Sequence, residues 1–186
     1  VSGAVLTVVI IVVVVAILIL IALALRPTLR RRGLRSRFGP EYDRLVQKSD
    51  DRRAVEAELA ERERRHSQLE LRELSDGQKQ RYQMEWARMQ EQFVDDPAAA
   101  LGSADRLVTA IMAERGYPTE SREQQIADLS VEHAEPLGGY RVAHDITTRA
   151  GQGAASTEEM RTAIVHYREL FADLLGTDPT PTSQHQ

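Results

Sequence analysis

The chain has no cysteine. That excludes a disulfide framework, a thiolate metal site and a cysteine nucleophile. Lysine is nearly absent: Lys48 and Lys79 are the only two, and the other 22 basic side chains are arginine, a bias that fits high-GC coding better than any function. Acidic residues are missing from the first forty positions. Glu41 is the first, and six arginines precede it: Arg26, Arg30, Arg31, Arg32, Arg35 and Arg37. From Glu41 onward there are 18 basic and 28 acidic residues, a net of -10. A body so acidic lacks the basic face that phosphate binding needs, so no nucleic-acid partner is expected.

A long uncharged run stands before the arginines. Gly3 to Leu25 carries no charge, and Thr7 is its only polar side chain. As a helix it would extend roughly 34 Å, against a hydrocarbon core of about 30 Å. The run is expected to be a transmembrane helix. Six arginines follow it within twelve residues, which by the positive-inside rule puts residues 26–40, a basic juxtamembrane linker, at the cytoplasmic face of the cell membrane and the N-terminus outside. Ala22-Leu23-Ala24 has the form of a cleavage site. The length of the run, the absence of a basic side chain before it and the arginines directly after it favour an uncleaved anchor. No GxxxG pattern supports pairing of helices in the bilayer. The bilayer is the first expected partner. The strip is read first as a topology determinant and second as a contact for anionic lipid headgroups.

Glu41 to Leu74 contains no glycine or proline, and 18 of its 34 residues are charged. It reads as one long, solvated helix entered at Pro40. A heptad frame through Leu45, Val55, Leu59 and Leu69 also puts Lys48, Arg52, Arg62 and His66 in the seam, so self-pairing is the lesser reading. Residues 75–176 read as a compact helical domain. Ser75 to Gln78 and Ser156 to Glu159 are capping boxes, Asp96-Pro97 is an N-cap followed by a first-turn proline, and Ser121 is a further cap. Tyr82, Trp86, Met89 and Phe93 fall on one face. So do Leu101, Ala104, Leu107, Val108, Ile111 and Met112, and again Met160, Ala163, Ile164, Tyr167, Leu170, Phe171 and Leu174. Val131 to Gly139, with Pro136 and two glycines, is expected to be a loop, and Tyr140 to Arg149 a helix with Val142 and Ile146 inward. Gly116 and Gly176 stop helices. Residues 177–186 form a polar tail. No strand signal is present, so the fold class expected is all-α.

The string Trp86 through Phe93-Val94-Asp95-Asp96-Pro97, then Ala104-Asp105-Arg106-Leu107-Val108 and Arg115-Gly116-Tyr117-Pro118, resembles a group of bacterial proteins without an assigned activity, found in high-GC genomes and often beginning with a membrane segment. Tyr140-Arg141-Val142-Ala143-His144 and Tyr167-Arg168-Glu169-Leu170-Phe171 resemble it too. The likeness covers about Arg35 to Leu175. It implies the architecture and carries no activity.

Chemistry has few anchors. No HExxH, P-loop, dinucleotide fingerprint or GxSxG is present, and no two histidines have the i,i+4 spacing of a zinc helix. Neither a cofactor nor a metal is expected. The polar residues with most scope are Asp95, Asp105, Arg141 and His144. Arg141 and His144 would share a helix face and, with the aspartates, could line a cleft. The expectation is a membrane-tethered scaffold or binding module with an unidentified protein partner. The alternatives are an enzyme using that polar cluster, or a lipid-responsive structural element. The sequence does not fix an oligomeric state.

Overall fold

The computed structural model describes residues 2–177, and within the first helix the side chains of 13–18, 20–21 and those from residue 31 onward. Among the described residues the chain is all-α. Seven helices follow one another: α1 (Ser2–Lys48), α2 (Arg52–His66), α3 (Asp76–Asp95), α4 (Pro97–Arg115), α5 (Arg122–Glu132), α6 (Ala134–Gly151) and α7 (Thr157–Leu175). The expected span at 3–25 falls mostly outside the described side chains. Among the described residues no helix is long and apolar enough to cross a membrane. The polar tail lies outside the described residues apart from Thr177.

Local chemistry sets most helix ends. Ser75 and Ser156 each accept a bond from the N3 backbone while Gln78 and Glu159 reach back to the cap, closing both capping boxes. Asp96 accepts from Ala99 N at 3.0 Å with Pro97 in the first turn of α4. Ser121 caps α5. Gly116 ends α4 at φ 97, and a Cβ there would lie 2.7 Å from the Glu70 carbonyl oxygen, so glycine admits the segment that follows α2.

Two clusters make the interior. The larger joins α3, α4, α6 and α7 through Trp86, Leu101, Val108, Ile111, Tyr140, Tyr167 and Leu170, with Trp86 stacked on Phe171 at 4.6 Å. The smaller joins α1, α2 and α5 through Leu34, Phe38, Tyr42, Val55, Leu59 and Val131.

Three expectations are corrected. Residues 26–40 are not a linker. They are helical and belong to α1, which bends once, at Gly39 (φ 43, ψ -121), just before Pro40. Proline has no N–H and its ring clashes with the carbonyl four residues back, so the helix cannot pass through straight. Nor is Glu41 to Leu74 one solvated helix. It breaks after Lys48, where Asp51 accepts bonds from Arg53 N (2.9 Å) and Ala54 N (3.1 Å) and starts α2. The face Val55, Leu59, Arg62, His66 is then buried within the molecule, which removes the proposed self-pairing seam. Residues 67–75 leave the helix, and Leu74 joins the larger core. Finally, Val131 to Gly139 is not a loop. Only His133 separates α5 from α6; Pro136 sits in the first turn, and Gly139 faces the His166 ring so closely that a Cβ would lie 2.5 Å from Nδ1. Ile146 is buried as expected, but Val142 points outward.

Candidate functional site

The four polar candidates are not gathered into one site. Asp105 on α4 and His144 on α6 do meet: Nδ1 of His144 lies 3.2 Å from Asp105 Oδ1, and the Tyr167 hydroxyl donates to the same oxygen at 2.9 Å. A carboxylate only accepts, so Nδ1 of His144 carries a proton. Thr147 Oγ1 is 3.0 Å from the Tyr167 hydroxyl, and Tyr140 meets the Tyr167 ring edge-on at 5.9 Å. Burial, followed by the Asp105 charge, pushes the Tyr167 hydroxyl well above its ordinary range, so it serves as a neutral donor. Asp105 and His144 keep partial contact with solvent. Asp95 ends α3, exposed, and joins neither residue. Arg141 turns away altogether.

Arg141 binds Glu41, the principal polar residue that the sequence reading missed. The Glu41 side chain is 1% exposed. Its carboxylate takes both arms of Arg141 (2.8 and 2.9 Å) and both Nε and Nη2 of Arg44 (2.8 Å each), with Arg62 Nη1 at 3.4 Å. Burial by itself would raise the Glu41 pKa. The bonds from Arg44 and Arg141 outweigh it and hold the group at about 2. One carboxylate thereby ties α1 to itself, to α2 and to α6.

The basic strip is also drawn into the fold. Arg31 lies 3.5 Å from Glu56, Arg35 3.3 Å from Asp43, and Arg37 3.0 Å from Glu63. Arg32 is exposed and has no ion pair among the described residues, while the side chains of Arg26 and Arg30 lie outside them. These half-exposed pairs contribute little individually, about 0 to 1 kcal/mol each. Arg31 and Arg37 reach α2, whereas Arg35 pairs within α1 across the Gly39 bend.

A second polar group lies where the ends of α2, α4, α5 and α7 converge. His133, buried between α5 and α6, approaches Asp173 through Nδ1 at 2.5 Å. Its Nε2 is 3.3 Å from Arg115 Nη1 and 3.2 Å from the Tyr117 hydroxyl. His66, from α2, is buried 6.0 Å from the Tyr117 ring, and its Nε2 has no hydrogen-bond partner among the described residues. Burial foremost lowers the His66 pKa, against the opposing pull of Glu132 and Asp128. Among the described residues no group of three or more histidine, aspartate and glutamate side chains could hold a metal ion. No protein-family model, no curated protein and no solved structure matches the chain.

Proposed function

We propose that the chain is a membrane-tethered helical binding module, with residues 3–25 crossing the cell membrane, the N-terminus outside and the helical body on the cytoplasmic side, where it docks a protein partner. The observation that carries this reading is α1. It runs through the uncharged stretch and continues without a linker until Leu34, Phe38 and, past the Gly39 bend, Tyr42 are buried among α2 and α5. Such a connection would hold the body at a set orientation. At 1.5 Å per residue, Gly33 would lie about 12 Å beyond Leu25, which brings the body directly beneath the headgroups. The arginine strip supports the orientation. Arg32 is available to lipid phosphate, whereas Arg31, Arg35 and Arg37 would have to leave their carboxylates. A body of net charge -10 favours a partner with a basic face.

Because the chain has no cysteine, a single introduced one reports unambiguously. Thr162→Cys, on the exposed face of α7, is expected to resist a membrane-impermeant maleimide in intact cells and to react after lysis. Labelling in intact cells would reverse the orientation, and recovery of the chain in the soluble fraction would remove the anchor. Purification of the full chain from detergent after chemical crosslinking is expected to yield a partner in fixed ratio. If the chain is recovered alone after crosslinking, the module reading fails.

A further inference from the structure

We propose that the cavity between the start of α3 and the ends of α4 and α7 binds a small oxyanion, a carboxylate or a phosphate, on Arg115 and Lys79. The cavity measures about 300 Å³ and is lined by Glu73, Lys79, Arg115, His133, Asp173 and the last turn of α7. That volume suits a small molecule and nothing larger. Arg115 is partly buried, yet none of its polar contacts among the described residues is with a carboxylate. Its Nη1 donates to the Leu174 carbonyl at 3.1 Å and to His133 Nε2 at 3.3 Å, and the guanidinium stands 5.7 Å from the Tyr117 ring centre. Among the described residues no carboxylate is within ion-pair distance of it, and its Nε and Nη2 make no hydrogen bond to the protein. A guanidinium has five N–H donors in a planar fork that matches a carboxylate or phosphate edge. Lys79 lines the same space, and its ammonium likewise has neither ion pair nor hydrogen bond among the described residues.

The nearby acids do not take this role. Asp173 is engaged by His133, and Glu73 stands exposed without an ion pair among the described residues. The network also fixes the fork. Arg115 can only donate, so Nε2 of His133 is the acceptor and the ring proton sits on Nδ1, facing Asp173. Asp173, His133 and Leu174 together hold one arm of Arg115 and leave the other edge to a ligand, with Lys79 as a second point charge. His133 is a positioning residue in this arrangement, and its ring nitrogens should register occupancy.

The test is nitrogen NMR of the histidine rings in the full chain, kept in a non-ionic detergent. Inorganic phosphate and acetate are titrated separately, with chloride as the control for ionic strength. The expected result is a saturable shift of the His133 nitrogens with one or both oxyanions, while His144 and His166 stay fixed. The ratio of the two affinities then separates phosphate from carboxylate. Lys79→Gln should fold normally, since the Lys79 side chain makes no hydrogen bond or ion pair among the described residues and its backbone bond to Ser75 is kept, and it should weaken binding by about tenfold, the loss expected for one charge-assisted contact. Arg115→Gln should abolish binding. If that variant fails to fold, Lys79→Gln decides alone. No saturable shift, an equal response from all histidines, or unchanged affinity in Lys79→Gln would each overturn the proposal and leave Arg115 as the cap of α7 only.

Discussion

Replacing Glu41 by glutamine keeps the shape of the side chain and one acceptor oxygen but removes the charge that three arginines share. Two routes give the cost. A carboxyl held at about 2 in place of 4.5 contributes about 3 kcal/mol at neutral pH. Removing one partner of a buried ion pair costs about 3 to 5 kcal/mol, and the lower end applies because Arg44 and Arg141 keep partial solvation. The loss should be local. Glu41 serves the cluster of α1, α2 and α5, whereas Trp86 reports on the other core. Hydrogen exchange across residues 34–66 is therefore expected to accelerate by about 100-fold in Glu41→Gln, with the urea midpoint read by Trp86 fluorescence nearly unchanged. The sign with pH is set by a depressed acid. The stabilisation is fully present above 4.5 and is lost as pH falls toward 2, and Glu41→Gln should lack that loss. Acceleration below about fivefold, or equal acceleration in α3, α4 and α7, would refute the view of Glu41 as the tie between the two parts.

Trp86→Ala should destabilise the body by about 3 to 5 kcal/mol in a denaturant titration, because the indole is buried against Phe171. Asp96→Ala should cost about 0.5 to 2 kcal/mol, and Asp96→Asn or Asp96→Ser should restore most of it by accepting the same Ala99 N–H. His66 has a lowered pKa, so the fold prefers its neutral form. Protection of α2 against exchange should be greatest above pH 6.5 and fall as pH drops through and below that value, and His66→Leu should flatten the dependence.

The parts of the fold that were legible in the sequence are those written in local code. Ser75, Asp96, Ser121 and Ser156 announce helix starts through bonds within three residues, and the stripes of α4 and α7 have a single helical period. What escaped depends on distant partners. Leu34, Phe38 and Tyr42 recur every four residues and mark a buried face, but they are set among arginines that suggested a strip beneath a membrane. Glu41 looked like one more surface charge, since nothing local reveals that Arg141, a hundred residues on, will cover it. Gly138-Gly139 suggested a loop because glycine's other use, close approach of two helices, requires knowing that α7 brings His166 there. Within the candidate cluster, the contact of Asp105 with His144 follows from facing helices, while Arg141 was claimed by a stronger acceptor.

The bend at Gly39 makes α1 a crank. The backbone angles there, φ 43 and ψ -121, are open to glycine and costly for any side chain, and Pro40 keeps the helix from straightening. Leu34 and Phe38 on one arm and Tyr42 on the other are pinned into the same cluster, so neither arm turns independently of the body. A quarter turn of the first arm about its own axis would then sweep the whole body through an arc, and a change of helix rotation upstream would reach the far end as a change in the direction the body faces.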